Sequence, residues 1–177
     1  MRKVLYIMGQ LDDRDVEWMA CAGRRRALER GEVIIRQGIK SPDLFIVLAG
    51  TVEVEVAGAG VVARLASGEV IGEMSFVDKA PPSATVRACE TSIVLALDRE
   101  QMEARLASDV GFAARFYKAL SIYLADRLRG TLAKSGGGLS SAEIQEDELD
   151  ETVLDHVSMA GVRFQQMLRT LLSADAR

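Results

Sequence analysis

The chain has 177 residues and a mass of 19.2 kDa, enough for one domain of ordinary size with a short appendage. Its 22 basic and 26 acidic residues give a net charge of −4, whereas nucleic-acid-binding domains usually carry a basic excess. The apolar runs are only a handful of residues long, so the sequence predicts neither a transmembrane helix nor a signal peptide. We therefore expect a cytoplasmic globular protein.

Cysteine and histidine are scarce in this chain. Cys21, Cys89 and His156 are too few to ligate an iron–sulfur cluster or a structural zinc ion. We expect two small buried thiols, a solvated His156, no metal and no cofactor. The sequence also offers no histidine-based triad and no Gly-rich loop for a nucleoside triphosphate. We therefore expect no catalytic residue and no enzymatic activity.

The N-terminal part of the chain is predicted to be helical. Residues 4–30 carry the helical pattern, with Asp12 or Asp13 placed as the N-cap. The arginines at 24–26 and Arg30 then fall on a solvated helix face, where nearby acidic residues offset them. The residues predicted to face inward are Val16, Met19 and Ala20.

Short apolar segments separated by glycine or proline follow. Residues 51–56 alternate strictly between apolar and polar side chains, which is typical of a strand with one face in water. Strands at this spacing indicate a sandwich or a barrel. The predicted strands are 33–35, 44–48, 51–56, 61–65, 85–88 and 93–97.

Two helices are predicted next. Asp98 and Gln101 form a capping pattern for a short helix through Leu106, and Ser108 or Asp109 begins a longer one. The apolar face of the longer helix is wider than one docked helix needs, which indicates contact with a partner chain as well. This face carries Phe116, Leu120, Leu124, Leu128 and Leu132, widened by Phe112, Ala119, Ile122 and Tyr123.

Residues 135–139 form a Gly-rich linker, and residues 140–177 an acidic, helical C-terminal extension. Seven acidic residues and no basic one lie between 143 and 155. A heptad-like seam follows, which either folds back on its own domain or pairs between chains, and Gly161 weakens the helix within it. The seam consists of Leu149, Val153, Val157, Ala160, Phe164, Leu168 and Leu171.

The segments 70–76 and 81–88 carry the candidate chemistry. A strand ends at Gly72, a short helix begins, and a second loop returns through small hydroxyl residues. Exposed amides at a helix start bind anions, and a glycine allows a ligand to approach the backbone. Glu73 is placed to accept a hydrogen bond from a sugar hydroxyl, and Ser83 and Thr85 to donate to phosphate oxygens.

In these segments the chain resembles the cyclic-nucleotide-binding domains of the catabolite-activator and protein-kinase-A regulatory-subunit superfamily. The resemblance covers residues 31–132 and includes the phosphate cassette at 71–76 and the closing segment at 83–88. It implies a mainly β fold with flanking helices, an eight-stranded jelly-roll (double-stranded β-helix) barrel. Residues 1–134 would form this domain, with a C-terminal dimer helix over the pocket and without the DNA-binding domain.

The resemblance also implies a set of ligand-binding residues. Gly72 and Glu73 match the pair that contacts the ribose, Ser83 matches the hydroxyl that contacts the phosphate, and Thr131 matches the threonine that reads the purine. One position departs from the family, because Pro82 stands where the phosphate-binding arginine belongs. The implied ligand-binding set is Gly72, Glu73, Met74, Ser75, Ser83, Ala84, Thr85 and Thr131.

Each of these residues also has a purely structural interpretation. Gly72 can serve only the strand-to-helix turn, and Glu73 can cap the helix or pair locally. Ser83 and Thr85 can satisfy loop amides, and Thr131 can be a helix-surface residue. Met74 and Phe76 are interpreted as core residues.

Two functions remain open. The first is a regulatory module that senses cAMP or cGMP and signals through its C-terminal helices, as a homodimer with an unidentified protein partner. The second is a degenerate, ligand-free dimerising scaffold, favoured by Pro82. A transcription factor does not fit, because residues after 133 offer no basic recognition helix, so we expect no DNA partner.

Overall fold

A computed structural model describes the backbone of residues 8–134 and 151–174, and the side chains of residues 8–130, 159–169 and 171. Eight strands precede the last three helices. The elements are α1 (Asp13–Ala22), β1 (Arg24–Leu28), β2 (Val33–Ile35), β3 (Asp43–Ala49), β4 (Thr51–Val56), β5 (Gly60–Ala66), β6 (Val70–Ile71), α2 (Glu73–Asp78), β7 (Thr85–Ala88), β8 (Ser92–Asp98), α3 (Arg99–Ser108), α4 (Val110–Lys134) and α5 (Glu151–Ala174).

The strands form two antiparallel sheets of four. The first sheet has the order β1-β8-β3-β6 and the second β2-β7-β4-β5. Phe45 lies opposite Ala96 in the first sheet, and Val54 lies opposite Val86 in the second. The mainly β, jelly-roll fold class predicted from the sequence is confirmed.

Strand β3 of the first sheet is buried on both faces. Phe45 and Val47 of β3 pack in the core between the two sheets, whereas Leu44 and Ile46 pack against the helices. This explains why β3 reads as one continuous apolar run. In β4, by contrast, Val52 and Val54 are buried while the glutamates between them are partly exposed, as the alternation predicted.

The prediction of a helix over residues 4–30 is wrong beyond Ala22. Residues 24–28 form strand β1, which pairs along its whole length with β8 at the edge of the first sheet. Arg24 bonds to Asp43 at 3.0 Å and Arg26 to Glu32 at 2.6 Å, so these arginines lie on a strand and not on a helix face. The pairing depends on a strand about 70 residues away in sequence, which local periodicity does not reveal.

Helix α1 is capped and fastened through its acidic start. Asp12 is the N-cap and forms a capping box with Asp15. The buried Asp15 carboxylate accepts hydrogen bonds from Arg115 Nε and Nη2 of α4, at 2.6 and 2.8 Å. Burial raises the pKa of Asp15, but the hydrogen bonds from Arg115 and from the Asp12 backbone outweigh it, so the pKa lies below its usual value. The pair therefore joins α1 to α4.

The prediction of two buried thiols is also wrong. Cys21 is exposed, because Val16, Met19 and Ala20 form the buried side of α1. Cys89 is half-buried, with its Sγ 3.5 Å from Glu53 Oε2. Both are free thiols in the structure.

The predicted starts of α3 and α4 are confirmed. The Asp98 side chain accepts from the Gln101 amide at 3.0 Å, and Asp109 accepts from the Phe112 amide at 2.9 Å. The apolar line of α4 changes along its length: Phe116 and Leu120 are buried in its own domain, whereas Leu128 is 61% exposed. Within the described ranges, no helix is long and apolar enough to cross a membrane.

Helix α5 packs against α1 of the same chain. Arg163 Nε bonds to Asp13 Oδ1 at 2.7 Å, and the α5 residues in the core are Ala160, Met167 and Leu171. The sequence left open whether the C-terminal extension folds back on its own domain or pairs between chains, and in the structure it folds back. The helix continues through Gly161, beside which a Cβ would meet no atom within 4 Å. The linker at 135–139, Leu149 and the side chain of His156 lie outside the described residues.

Replacing Met167 by alanine should test this packing. The Met167 side chain is fully buried, so its truncation should lower the free energy of unfolding by about 2–5 kcal/mol. Met159 of the same helix is 48% exposed, and Met159→Ala should change stability by less than about 0.5 kcal/mol. Urea unfolding of both variants measures the difference. Equal, small effects would show that α5 does not pack on its own domain.

Candidate ligand-binding site

The segment between β6 and α2 makes a tight turn at Gly72. Its φ of 87° is in the left-handed region, and a Cβ there would lie 3.3 Å from Ile35 Cδ1. The Gly72 carbonyl accepts from the Phe76 amide at 3.0 Å and from Arg99 Nη2 at 3.1 Å. The turn therefore requires a glycine on backbone grounds, and it sets Glu73 as the first residue of α2.

A small cavity, of about 60 Å³, lies beside this turn. Strands of the second sheet supply an apolar floor, the 72–75 turn and the 82–84 loop supply two walls, and α4 supplies one side chain. The lining residues are Ile35, Val54, Leu65, Ile71, Gly72, Glu73, Met74, Ser75, Pro82, Ser83, Ala84, Val86 and Arg127. We call it the cassette cavity.

The electrostatic centre of the cassette cavity is an ion pair between Glu73 and Arg127. The Glu73 side chain is almost fully buried, and its Oε1 accepts a hydrogen bond from Arg127 Nη1 of α4. Burial raises the pKa of Glu73, while the Arg127 charge and the backbone N–H groups of Glu73 and Gly72 act in the opposite direction. A buried carboxylate without a partner is strongly destabilising, so this pair links the turn to α4.

Tyr123 supports the arginine from one turn earlier in α4. Its hydroxyl donates to the Val70 carbonyl at 3.0 Å, and the Arg127 guanidinium carbon lies 5.7 Å from its ring centroid. Burial, and the nearby Glu73 carboxylate, raise the pKa of Tyr123, which keeps the phenol protonated. The phenol and the ion pair together fix α4 against the end of β6.

The structure brings most of the predicted site residues to one place. Six of the eight line the cassette cavity: Gly72, Glu73, Met74, Ser75, Ser83 and Ala84. Thr85 does not line it, and its hydroxyl accepts from the Gln37 amide at 3.1 Å. Thr131 lies within α4, but its side chain is outside the described residues.

The sequence interpreted both Met74 and Phe76 as core residues. Phe76 is a core residue as predicted, but Met74 is not, because it is 51% exposed at the mouth of the cassette cavity. Helix α2 has only six residues, so its inward face is limited to Glu73, Ser75 and Phe76. Pro82, at the position of the family's arginine, is buried in the cavity wall.

Sequence reasoning missed the apolar floor of the cavity. Ile35, Val54, Leu65 and Val86 belong to four different strands, and only their shared sheet brings them together. Their positions in alternating or apolar strands identify them as core residues, which gives no sign that a cavity adjoins them. Arg127 lies one turn before Thr131 in α4, and it lines the cavity.

Comparison with known proteins gives curated relatives that match part of the chain. Over 97 residues the chain is 26% identical to the cAMP-dependent protein kinase regulatory subunit of Debaryomyces hansenii, covering 55% of this chain and 22% of that protein. The chain thus spans about a fifth of the length of the curated relatives it matches first.

Solved structures share the fold. A cyclic nucleotide-binding domain from Methylobacillus flagellatus KT has a TM-score of 0.66 at 22% identity, covering 75% of this chain and 80% of that one. The Thermus thermophilus catabolite activator protein has a TM-score of 0.56 at 23% identity, covering 93% of this chain and 85% of that one. The family model described as "Cyclic nucleotide-binding domain" matches residues 25–109, which include both walls of the cassette cavity. Residues 25–109 of the chain therefore match the cyclic nucleotide-binding domain family.

Proposed function

We propose that the chain is a non-enzymatic, cytoplasmic regulatory module that senses a cyclic nucleotide, cAMP or cGMP, or a related ligand, and signals through its C-terminal helices. The observation that carries the proposal is the Glu73–Arg127 pair, because it joins the wall of the cassette cavity to α4. The family match of residues 25–109 supports the ligand class. The regulatory subunit of Debaryomyces hansenii, named for cAMP-dependent protein kinase, supports the regulatory role.

The first step of the proposed mechanism is competition for Glu73. A sugar hydroxyl that donates to the Glu73 carboxylate takes over part of the role of Arg127, whose side chain then turns toward the ligand. Arg127 belongs to α4, so a change in its position alters the contact between α4 and the turn. The two arrangements are Glu73 bonded to Arg127 and Glu73 bonded to the ligand. A ligand shifts the equilibrium between them only by its difference in affinity for the two.

The second step passes from α4 to the other helices. Arg115 of α4 bonds to Asp15 of α1, and Asp13 of α1 bonds to Arg163 of α5. These ion pairs connect the three helices in series, from the cassette cavity to the C-terminal extension. A protein partner that reads α5 would therefore detect the state of the cavity.

The ligand's phosphate would be held weakly. Pro82 supplies no charge, and Arg87 does not line the cavity, because it donates to the Gly31 carbonyl at 2.9 Å. Among the described lining residues Arg127 is the cation, and the exposed Ser83 supplies a hydroxyl. We therefore expect weak binding of cAMP and cGMP.

The second candidate is a ligand-free, dimerising scaffold. The buried Pro82 favours it, and so does the ion pair between Glu73 and Arg127, which satisfies the Glu73 charge within the chain. In this case the family fold serves only to present α4 and α5 to partners. Duplex DNA is an expected partner in neither case, because the chain carries a net charge of −4.

Restoring the arginine should distinguish the two candidates. Pro82→Arg places a guanidinium in the cavity wall beside Ser83 and should tighten cyclic nucleotide binding by about tenfold to a hundredfold. Pro81→Arg is the matched control: it adds the same charge one residue away, at an exposed position that does not line the cavity. Calorimetry with cAMP and cGMP on the native protein and both variants measures the effect.

Three outcomes of that titration are informative. Native binding as tight as in Pro82→Arg would show that another cation already supplies the missing charge, and Arg127 and Arg87 would be the first residues to test. Binding by neither protein would favour the scaffold. Strong native binding that survives both Glu73→Ala and Ser83→Ala would place the ligand elsewhere and contradict the site.

The Glu73–Arg127 ion pair should give a measurable coupling free energy in a double-mutant cycle. Arg127→Gln leaves Glu73 buried without its partner and should lower the free energy of unfolding by about 3 kcal/mol at neutral pH. Because burial raises the native pKa of Glu73 above its unfolded value, this deficit should shrink as the pH falls and the carboxyl is protonated. Adding Glu73→Gln should restore most of the lost stability. Additive losses in the double variant would show that the pair is not coupled.

The module should form a homodimer through α4. Leu128 is 61% and Tyr117 45% exposed on the helix whose buried face already serves the domain, and exposed apolar surface of this kind favours association. Sedimentation velocity at tens of micromolar should show a dimer that Leu128→Asp dissociates. Val62→Asp, at a 52% exposed position on β5, should leave it intact. A native monomer, with and without cAMP, would contradict the prediction.

A further inference from the structure

A second cavity, of about 110 Å³, also adjoins α2. It shares Ser75 with the cassette cavity and is otherwise separate from it. Its lining residues are Lys40, Ser41, Ser75, Lys79, Ala80 and Arg99, of which three are cationic and two carry hydroxyls. We call it the basic cavity.

Arg99 has unused hydrogen-bonding capacity. Its Nη1 donates to the Ser75 carbonyl at 2.8 Å and its Nη2 to the Gly72 carbonyl at 3.1 Å. A guanidinium has five N–H donors, so three of them, including the one on the buried Nε, have no hydrogen-bond partner within the described part of the chain. Burial lowers the pKa of Arg99, but the group stays charged at neutral pH.

Two other groups that line the basic cavity are also unpartnered. Ser75 is only 7% exposed, and its hydroxyl makes no hydrogen bond to any residue that the structure describes. Lys40 is exposed and forms neither an ion pair nor a hydrogen bond within the described ranges. The Ser75 hydroxyl is therefore available to donate to a ligand or a water molecule in the adjacent cavity.

The neighbouring carboxylates do not cancel the positive charge of the basic cavity. Lys79 Nζ bonds to Glu103 at 2.8 Å, and the charges of Glu103 and Asp78 both favour the charged form of Arg99. The Lys79 and Glu103 side chains are 67% and 45% exposed, so their pair contributes little and Lys79 can turn to another partner. Three cations face two carboxylates, which keeps the local charge positive.

We propose that the basic cavity binds a small phosphate-bearing anion, either inorganic phosphate or the phosphate of a small phosphomonoester. Two lysines and an arginine supply charge, and Ser75 supplies a hydroxyl donor, which suits an oxyanion with several acceptor oxygens. Because Arg99 also holds the Gly72 and Ser75 carbonyls, an anion bound here stabilises the turn that positions Glu73. The argument for an anion here holds whether or not a cyclic nucleotide binds in the cassette cavity.

Calorimetric titration of the full chain with inorganic phosphate, at constant ionic strength, tests the site. We expect saturable binding that Lys40→Gln and Lys79→Gln each weaken by about tenfold, the effect of one lost hydrogen bond to a charged group. Lys118→Gln, which removes an exposed lysine of α4 outside the basic cavity, should leave the affinity unchanged. Glycerol phosphate in place of phosphate shows whether a free phosphate or a phosphomonoester binds better.

Further variants separate the two cavities. Ser83→Ala alters the cassette cavity alone and should not change phosphate affinity, whereas Ser75→Ala should reduce it. Circular dichroism confirms that each variant is folded. The proposal is overturned if the native protein shows no saturable phosphate binding. It is equally overturned if a Lys40→Gln/Lys79→Gln variant binds as tightly as the native chain, or if Ser83→Ala alone abolishes binding.

Discussion

The buried carboxylate of Glu73 is the constraint on which the arrangement of the site depends. A charge taken out of water needs a partner, and the partner comes from α4, 54 residues further along the chain. The pair therefore determines where α4 lies against the β6–α2 turn. Gly72 makes the turn, Arg127 satisfies the charge, and Tyr123 holds both against Val70. A ligand that competes for Glu73 acts on all of these contacts together.

The remaining helices are joined by the same kind of interaction. Asp15 is almost fully buried and is paired by Arg115, and Asp13 is paired by Arg163 at a more exposed position. Loss of Arg115 should cost more than loss of Arg163, because it leaves the 1% exposed Asp15 carboxylate without its cation, whereas Asp13 is 64% exposed. The ion pair between α1 and α4 is thus the stronger of the two, whereas the contact between α1 and α5 also depends on the apolar packing of Ala160, Met167 and Leu171.

The β6–α2 turn lies between the cassette cavity and the basic cavity, and Arg99 bonds to it. Arg99 holds the Gly72 and Ser75 carbonyls, while Glu73 of the same turn reaches Arg127. The turn is therefore fixed by one guanidinium from α3 and one from α4. An anion near Arg99 and a ligand near Arg127 would act on one six-residue helix, so the two proposed sites are expected to influence each other.

The sequence by itself determined the strands from 33 onward and, to within one residue, the caps at Asp12, Asp98 and Asp109, because these depend on alternation and capping within a few residues. Only the tertiary structure decided the rest. Strand β1 forms by pairing with β8, and Met74 is exposed because the buried residues of α2 are Glu73, Ser75 and Phe76. The Glu73–Arg127 pair, the apolar floor and the basic cavity join residues that are distant in sequence. Burial and charge pairing in three dimensions bring these residues together, and no local sequence pattern predicts these contacts.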